Sequence, residues 1–239
     1  MARCSLASGR CGRLGKPCAS GRCLARTVRR LHKRRWRDKL GLFVAEGEDL
    51  VDAAAAAGIE PVELLVAGED VEPALLAEVS SLGHPARVLG VYRRDDLPGG
   101  VRPQMLALWR VSDPGNIGTL VRTADVFGAA VALSRGCADV TGPKALRASM
   151  GAVFRVPTAP FEEATEPWIA LVPRGGSPLP EVELGDAVTF VLGAEREGLP
   201  PEVLRRCEAQ ATIPQPGPAE SLNVAAAGAI ALYEASRRS

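Results

Sequence analysis

A chain of 239 residues, 46% hydrophobic and 24% charged, has the make-up of a globular protein with room for one large or two small domains. No apolar run reaches the roughly 18 residues a membrane helix needs, and the basic N-terminus lacks the apolar core of a secretory signal, so the cytoplasm is the expected location. The net charge of +1 hides a division: residues 1–39 carry 13 Lys and Arg against one acid, while the remainder is net −11. A basic arm on an acidic body points to an anionic polymer as partner, with a solvated leader as the other reading of its first part. Aromatics make up only 4%, so nucleic-acid binding should lean on charge rather than base stacking.

Residues 1–23 read as a disordered basic leader rich in Gly, Ser and Arg. It holds four of the six cysteines (Cys4, Cys11, Cys18 and Cys23), whose spacing lacks the C-x-x-C knuckle of common zinc sites, so no metal is expected. Arg26 to Lys39 reads as one basic helix. Short strands at Leu42–Gly47, Val62–Ala67 and Arg87–Val91 then alternate with helices at Glu48–Ala57 and Pro73–Leu82. That pattern predicts a small α/β domain over residues 24–95, and the Gly/Pro-bearing break at 96–101 ends it.

The pattern restarts at Gln104–Val111, a continuous apolar strand of the type buried in parallel sheets. Ser112-Asp-Pro-Gly-Asn-Ile-Gly118 leads into a helix whose apolar stripe is Ile117, Leu120, Val121, Ala124 and Phe127. Further strands at Ala130–Ser134, Trp168–Val172, Val188–Leu192 and Ala209–Ile213 alternate with helices at Pro143–Met150 and Pro201–Cys207. A Pro-rich loop, Ile213 to Asn223, then runs into a helix over Val224–Ser236 that is apolar on every side, and therefore expected to be buried. Residues 102–239 thus read as a mostly parallel sheet flanked by helices.

In such sheets ligands bind beyond the carboxyl ends of the strands. Four polar clusters fall there: Asp113–Asn116, Ser134–Asp139, Gly193–Gly198 and Gln215–Asn223. Glu220, Ser221 and Asn223 carry cap-forming side chains at the start of the last helix, and could serve a polar ligand or simply cap a core helix. Arg122 lies about 160° from the centre of its helix's apolar stripe, facing either solvent or a cleft built by other loops. No G-x-G-x-x-G or G-x-x-x-x-G-K-[ST] motif is present, which disfavours dinucleotide and P-loop folds. With only His32 and His84 in the chain, a Ser-His-Asp hydrolase is not expected either.

Asn116-Ile-Gly-Thr-Leu-Val-Arg122-Thr-Ala-Asp-Val-Phe-Gly128 resembles the first motif of the SpoU (TrmH-like) RNA ribose methyltransferases, part of the SPOUT superfamily. Val191-Leu-Gly-Ala-Glu195-Arg-Glu-Gly-Leu-Pro200 resembles their second motif, and Ile213-Pro through Glu220-Ser-Leu-Asn-Val-Ala225 their third. Lys144-Ala-Leu-Arg147-Ala-Ser149-Met-Gly151 is similar to the stretch between motifs. Residues 26–95 resemble the ribosomal-protein-like RNA-binding domain that many members carry in front. The resemblance implies a C-terminal trefoil knot, S-adenosylmethionine as cofactor, a homodimer with the site near the subunit interface, and 2′-O-ribose methylation of RNA. The front domain favours ribosomal over transfer RNA. A non-catalytic RNA-binding or assembly factor on the same fold is the rival.

By the same resemblance Arg122, Glu195 and Asn223 fall on catalytic positions. Leu192, Gly193, Ile213, Pro214, Ser221 and Leu222 fall on cofactor-binding ones, and Asn116 on the RNA side. Arg29, Arg30, Lys33, Arg34, Arg35 and Arg37 are the expected phosphate ligands, binding without reading sequence. Two departures stand out. Arg196 occupies a position expected to be small, implying a clash or an extra phosphate contact. The Pro-rich stretch between Phe161 and Val188 leaves little room for the expected crossover helix.

Overall fold

The computed structural model describes residues 22–217 and 221–238, with the pairs Cys4–Ser5 (β1) and Arg10–Cys11 (β2), which run antiparallel. The rest of the expected leader, and Glu220, lie outside the described residues.

The basic segment forms two helices rather than one: α1 (Arg22–Leu31) and α2 (Arg34–Leu40), with Lys33 between them in extended backbone. Arg37 is the cause. Its Nη1 donates to the Leu31 carbonyl at the end of α1 (2.8 Å), and its Nε donates to Asp139 (2.8 Å), so the side chain folds α2 back across α1's last turn. With 4% exposure, Arg37 is closed to an RNA phosphate, which corrects its place among the expected phosphate ligands.

β3 (Leu42–Glu46), α3 (Glu48–Ala56), β4 (Glu63–Val66), α4 (Pro73–Val79) and β5 (Val88–Arg93) complete the front unit, an antiparallel sheet in the order β3-β5-β4. Every residue of β3 is buried because both faces of the sheet are covered. Leu42 and Val44 pack beneath α1 and α4, whereas Phe43 and Ala45 join the core of the larger unit. At that seam Phe43, Tyr92 and Phe154 have ring centroids 5.4–6.0 Å apart, an arrangement that adds stability beyond area burial. Burial pushes the Tyr92 hydroxyl up to about 12, with Glu60 and Asp52 adding to the shift. Asp139, also buried, accepts from Arg37, Arg94 and Thr141. Burial alone would raise its carboxyl; the Thr141 hydrogen bond and the two guanidiniums outweigh that and hold it below the ordinary range.

The larger unit is a seven-stranded, all-parallel sheet. Its strands are β6 (Gln104–Leu108), β7 (Ala130–Leu133), β8 (Thr158–Pro160), β9 (Trp168–Leu171), β10 (Ser177–Pro178), β11 (Val188–Leu192) and β12 (Ala209–Thr212), in the order β10-β12-β9-β11-β6-β7-β8. The helices are α5 (Pro114–Val126), α6 (Pro143–Ser149), α7 (Pro201–Leu204) and α8 (Val224–Ser236). No α-helix forms between β9 and β11, where the two-residue strand β10 and a 3-10 turn at Leu179–Glu181 take its place. α8 packs closely on α5 at Gly228, where an added Cβ would sit 2.4 Å from Leu120. It is not buried on every side, as expected from its composition: Ala226, Ile230 and Tyr233 are exposed. No helix among the described residues is long and apolar enough to cross a membrane.

Candidate active site

Three strands end and one helix begins at one rim. Leu171 to Pro173 follow β9, Gly193 to Gly198 follow β11, Ile213 and Gln215 follow β12, and Ser221 to Val224 lead into α8; together they enclose a cavity of about 590 Å3. That volume suits a small organic ligand. The β11 loop turns sharply. Gly198, at φ +66°, donates its N–H to the Ala194 carbonyl (2.9 Å), and a Cβ on Gly193 would lie 2.3 Å from the Gly198 carbonyl carbon. Gly193 therefore leaves backbone where a side chain would fill the cradle.

Local sequence positions the polar groups. Asp113 caps α5 by accepting from Asn116 N (2.9 Å), and Pro114 starts the helix, so Asn116 projects from the first turn. Lys144 bonds Asp113 (2.8 Å); that bond and the cap hold its carboxyl below the usual range. Asn223 caps α8, its Oδ1 accepting from Ala225 N (2.8 Å) and Ala226 N (3.4 Å). Its Nδ2 donates to Asn116 Oδ1 (3.1 Å), and Asn116 Nδ2 donates to Glu195 Oε1 (3.0 Å). Two amides thus tie a carboxylate on the β11 loop to the N-terminus of α8, across three segments far apart in sequence.

Leu192, Gly193, Ile213, Ser221 and Leu222 all line the cavity beside Glu195 and Asn223. Pro214 does not: it is exposed, while Ile213 and Gln215 on either side of it line the cavity. Gln215 opens one of the four polar clusters expected at strand ends and does line the cavity, whereas the Leu171–Pro173 wall was missed by sequence, although the rule that ligands sit beyond strand ends marks it too. Asn116, assigned to the RNA side, stands between the two residues placed on catalytic positions. Arg196 sits exposed in the β11 loop, on the rim of the cavity. Arg122 lies six residues beyond Asn116, about 9 Å along the helix axis. It is exposed, lines no cavity described here and has no hydrogen-bond partner among the described residues.

Among the other cations, Arg29 pairs with Glu78, and Arg34 donates to the Cys137 carbonyl (2.9 Å). Arg30, Arg35 and Lys39 gather around the Trp36 ring at 4.6, 5.8 and 5.3 Å from its centroid. Lys33 is exposed.

A parallel sheet with its ligand loops at the carboxyl rim, preceded by a small sheet domain with basic helices, defines a class of two-domain α/β proteins built around one polar site. The chain belongs to the SpoU rRNA Methylase family, which residues 103–233 match; residues 25–94 match the MRM3-like substrate binding domain. It is 30% identical to an uncharacterised tRNA/rRNA methyltransferase of Synechocystis, covering 90% of this chain and 91% of that one. It is 29% identical to the 23S rRNA (guanosine(2553)-2′-O)-methyltransferase RlmP of Bacillus subtilis, covering 86% and 92%. The crystal structure of an AdoMet-bound rRNA methyltransferase from Sinorhizobium meliloti is similar at a TM-score of 0.78 and 29% identity, over 90% of this chain and 94% of that one.

Proposed function

We propose that this protein moves a methyl group from S-adenosylmethionine to a ribose 2′-hydroxyl of RNA, with ribosomal RNA as substrate. The observation that carries this is the Glu195–Asn116–Asn223 chain on the wall of a cavity whose floor, at Gly193, has no room for a side chain. The Bacillus subtilis relative, named for a ribose 2′-oxygen of 23S rRNA, supports the choice of atom and of RNA.

Bound there, the cofactor supplies an electrophilic methyl on a sulfonium. Gly193 and Ile213 would hold it through backbone, and Leu192, Ser221 and Leu222 would enclose it. Attack by a ribose hydroxyl demands alignment with the departing sulfur and stabilisation of developing oxygen charge. Glu195, held by Asn116, offers an acceptor to the ligands, while Asn223 fixes the amide behind it. Arg122 stabilises the charge and does not take the proton, since a guanidinium stays protonated. Lys33, Arg30, Arg34 and Arg35 bind phosphates, so affinity should fall steeply with salt.

The chain works as a homodimer in the cytoplasm. Arg122 and Val126, the latter 74% exposed, lie four residues apart on one face of α5, and Leu222, just before α8, with Ala226, Ile230 and Tyr233 on it, makes a second exposed, mainly apolar strip. A second copy covering that strip would bring Arg122 to its partner's cavity. A knot made by the second- and third-motif loops accounts for α8 returning against β6 and β11 after β12 has crossed beyond β9.

Mapping 2′-O-methylation in ribosomal and transfer RNA from a strain lacking the protein tests the substrate. One ribosomal nucleotide should lose its methyl group. Loss confined to transfer RNA would overturn the choice of RNA, and an unchanged map would overturn the activity.

A further inference from the structure

A second cavity, also of about 590 Å3, opens beside the first, and only the tip of the β11 loop separates them. Glu195 lines both. Asn223 lines the first and Asn116 the second, so the hydrogen-bonded chain described above crosses from one to the other.

Arg110 stands on the rim of this second cavity in an unusual state. Its φ of 54° is left-handed, which among the described non-glycine residues only Met150 shares, and which an L side chain resists. The position is held from outside: Arg110 N donates to Oγ of the buried Ser134 (2.9 Å). Gly136 leaves space for the side chain, since a Cβ there would lie 3.3 Å from Arg110 Cγ. The guanidinium reaches Glu197 at 3.4 Å, with the two side chains 56% and 72% exposed, a pair weak enough to exchange for a better anion. Arg196 on the same rim has no ion-pair partner among the described residues, while Asp113 is already engaged by Lys144. The basic helix α2 is anchored close by, where Arg34 grips the Cys137 carbonyl next to Gly136 of the cavity wall.

Strain kept at a rim, two exchangeable guanidiniums, and a shared wall with the cofactor cavity have one economical use. The geometry points to the second cavity as the seat of the acceptor nucleotide, with Arg110 and Arg196 gripping a phosphodiester that flanks its ribose. This rests on the RNA methyltransferase reading above and adds where the acceptor lies and which residues select it. A ribose seated there faces the cofactor cavity across Glu195. Its 2′-hydroxyl is fixed once the neighbouring phosphate is fixed, because the two groups sit on adjacent ring carbons.

Arg110→Gly is the telling substitution, for glycine adopts the backbone angle freely and the variant should melt no lower than the parent. Its KM for RNA should rise about tenfold, as for loss of one charge-assisted contact. The slope of log affinity against log salt should shrink by about one. The cofactor dissociation constant should stay within about twofold, as for a residue outside the cofactor cavity. Arg196→Gly should act in the same direction, and Arg110→Lys should recover part of the loss. RNA affinity and salt slope unchanged in both glycine variants would overturn the assignment. So would a loss of cofactor affinity in step with RNA affinity, which would mean the loop had merely shifted. RNA affinity measured without cofactor reads Arg110 by itself, so a parent protein that transfers no methyl group would count against the enzymatic reading and leave this comparison intact.

Discussion

Asn223 serves two ends with one amide. Its oxygen caps α8 and its nitrogen steadies Asn116, so the residue that starts the helix also fixes the carboxylate at the site. An N-cap is visible in sequence as an Asn before an apolar run; the Asn116 partnership is not, because the two residues are 107 positions apart. Arg37 misled for a related reason. Six neighbouring cations look alike in sequence, and only the distant Asp139 decides that this one turns inward. Arg122 is the residue with a testable role but no hydrogen-bond partner among the described residues. Replacing it with Ala should lower the rate of methyl transfer by about 100-fold or more, as for removal of a charge-stabilising donor, while cofactor affinity stays nearly intact. Single-turnover kinetics with calorimetry would check both, and near-normal turnover would remove Arg122 from the site.

Among the elements, the strands buried on both faces were the most legible. Val188–Leu192 matches its sequence bounds because a continuous apolar run of that length has few other homes. Thr158–Pro160 and Ser177–Pro178 escaped notice, being two or three residues long at the sheet edges, with prolines that suggest loops. The strand order could not be read from alternation alone, which predicts a parallel sheet but not which strands are neighbours. Tight turns carry more of the site than the strands do. Gly193→Ala would force the β11 loop to move, since its Cβ would meet Gly198 backbone at 2.3 Å rather than a yielding side chain. The expected cost is about 1–3 kcal/mol of stability. Cofactor affinity should fall at least about tenfold, because the cradle itself is displaced. Unchanged affinity by calorimetry would show that the loop does not hold the ligand.

For the whole molecule, the front sheet and the large sheet share one core through Phe43, Tyr92 and Phe154, and Arg37 and Arg94 clamp Asp139 across the same seam. The basic helices are thus held in a set relation to the strand-end site rather than tethered loosely. The proposed homodimer has a consequence for catalysis. Mixing inactive Arg122→Ala with inactive Asn223→Ala protein should restore about a quarter of parental activity, because half the dimers would be mixed and each would contain one intact site. No recovery after confirmed exchange of subunits would place Arg122 in its own chain's site. The atom that receives the methyl group can be identified directly. The purified protein should be given methyl-labelled S-adenosylmethionine and ribosomal RNA, and the product cleaved with alkali, which cuts only beside a free 2′-hydroxyl. Label in alkali-resistant dinucleotides is the predicted result; label only in mononucleotides, or none in the RNA at all, would contradict it.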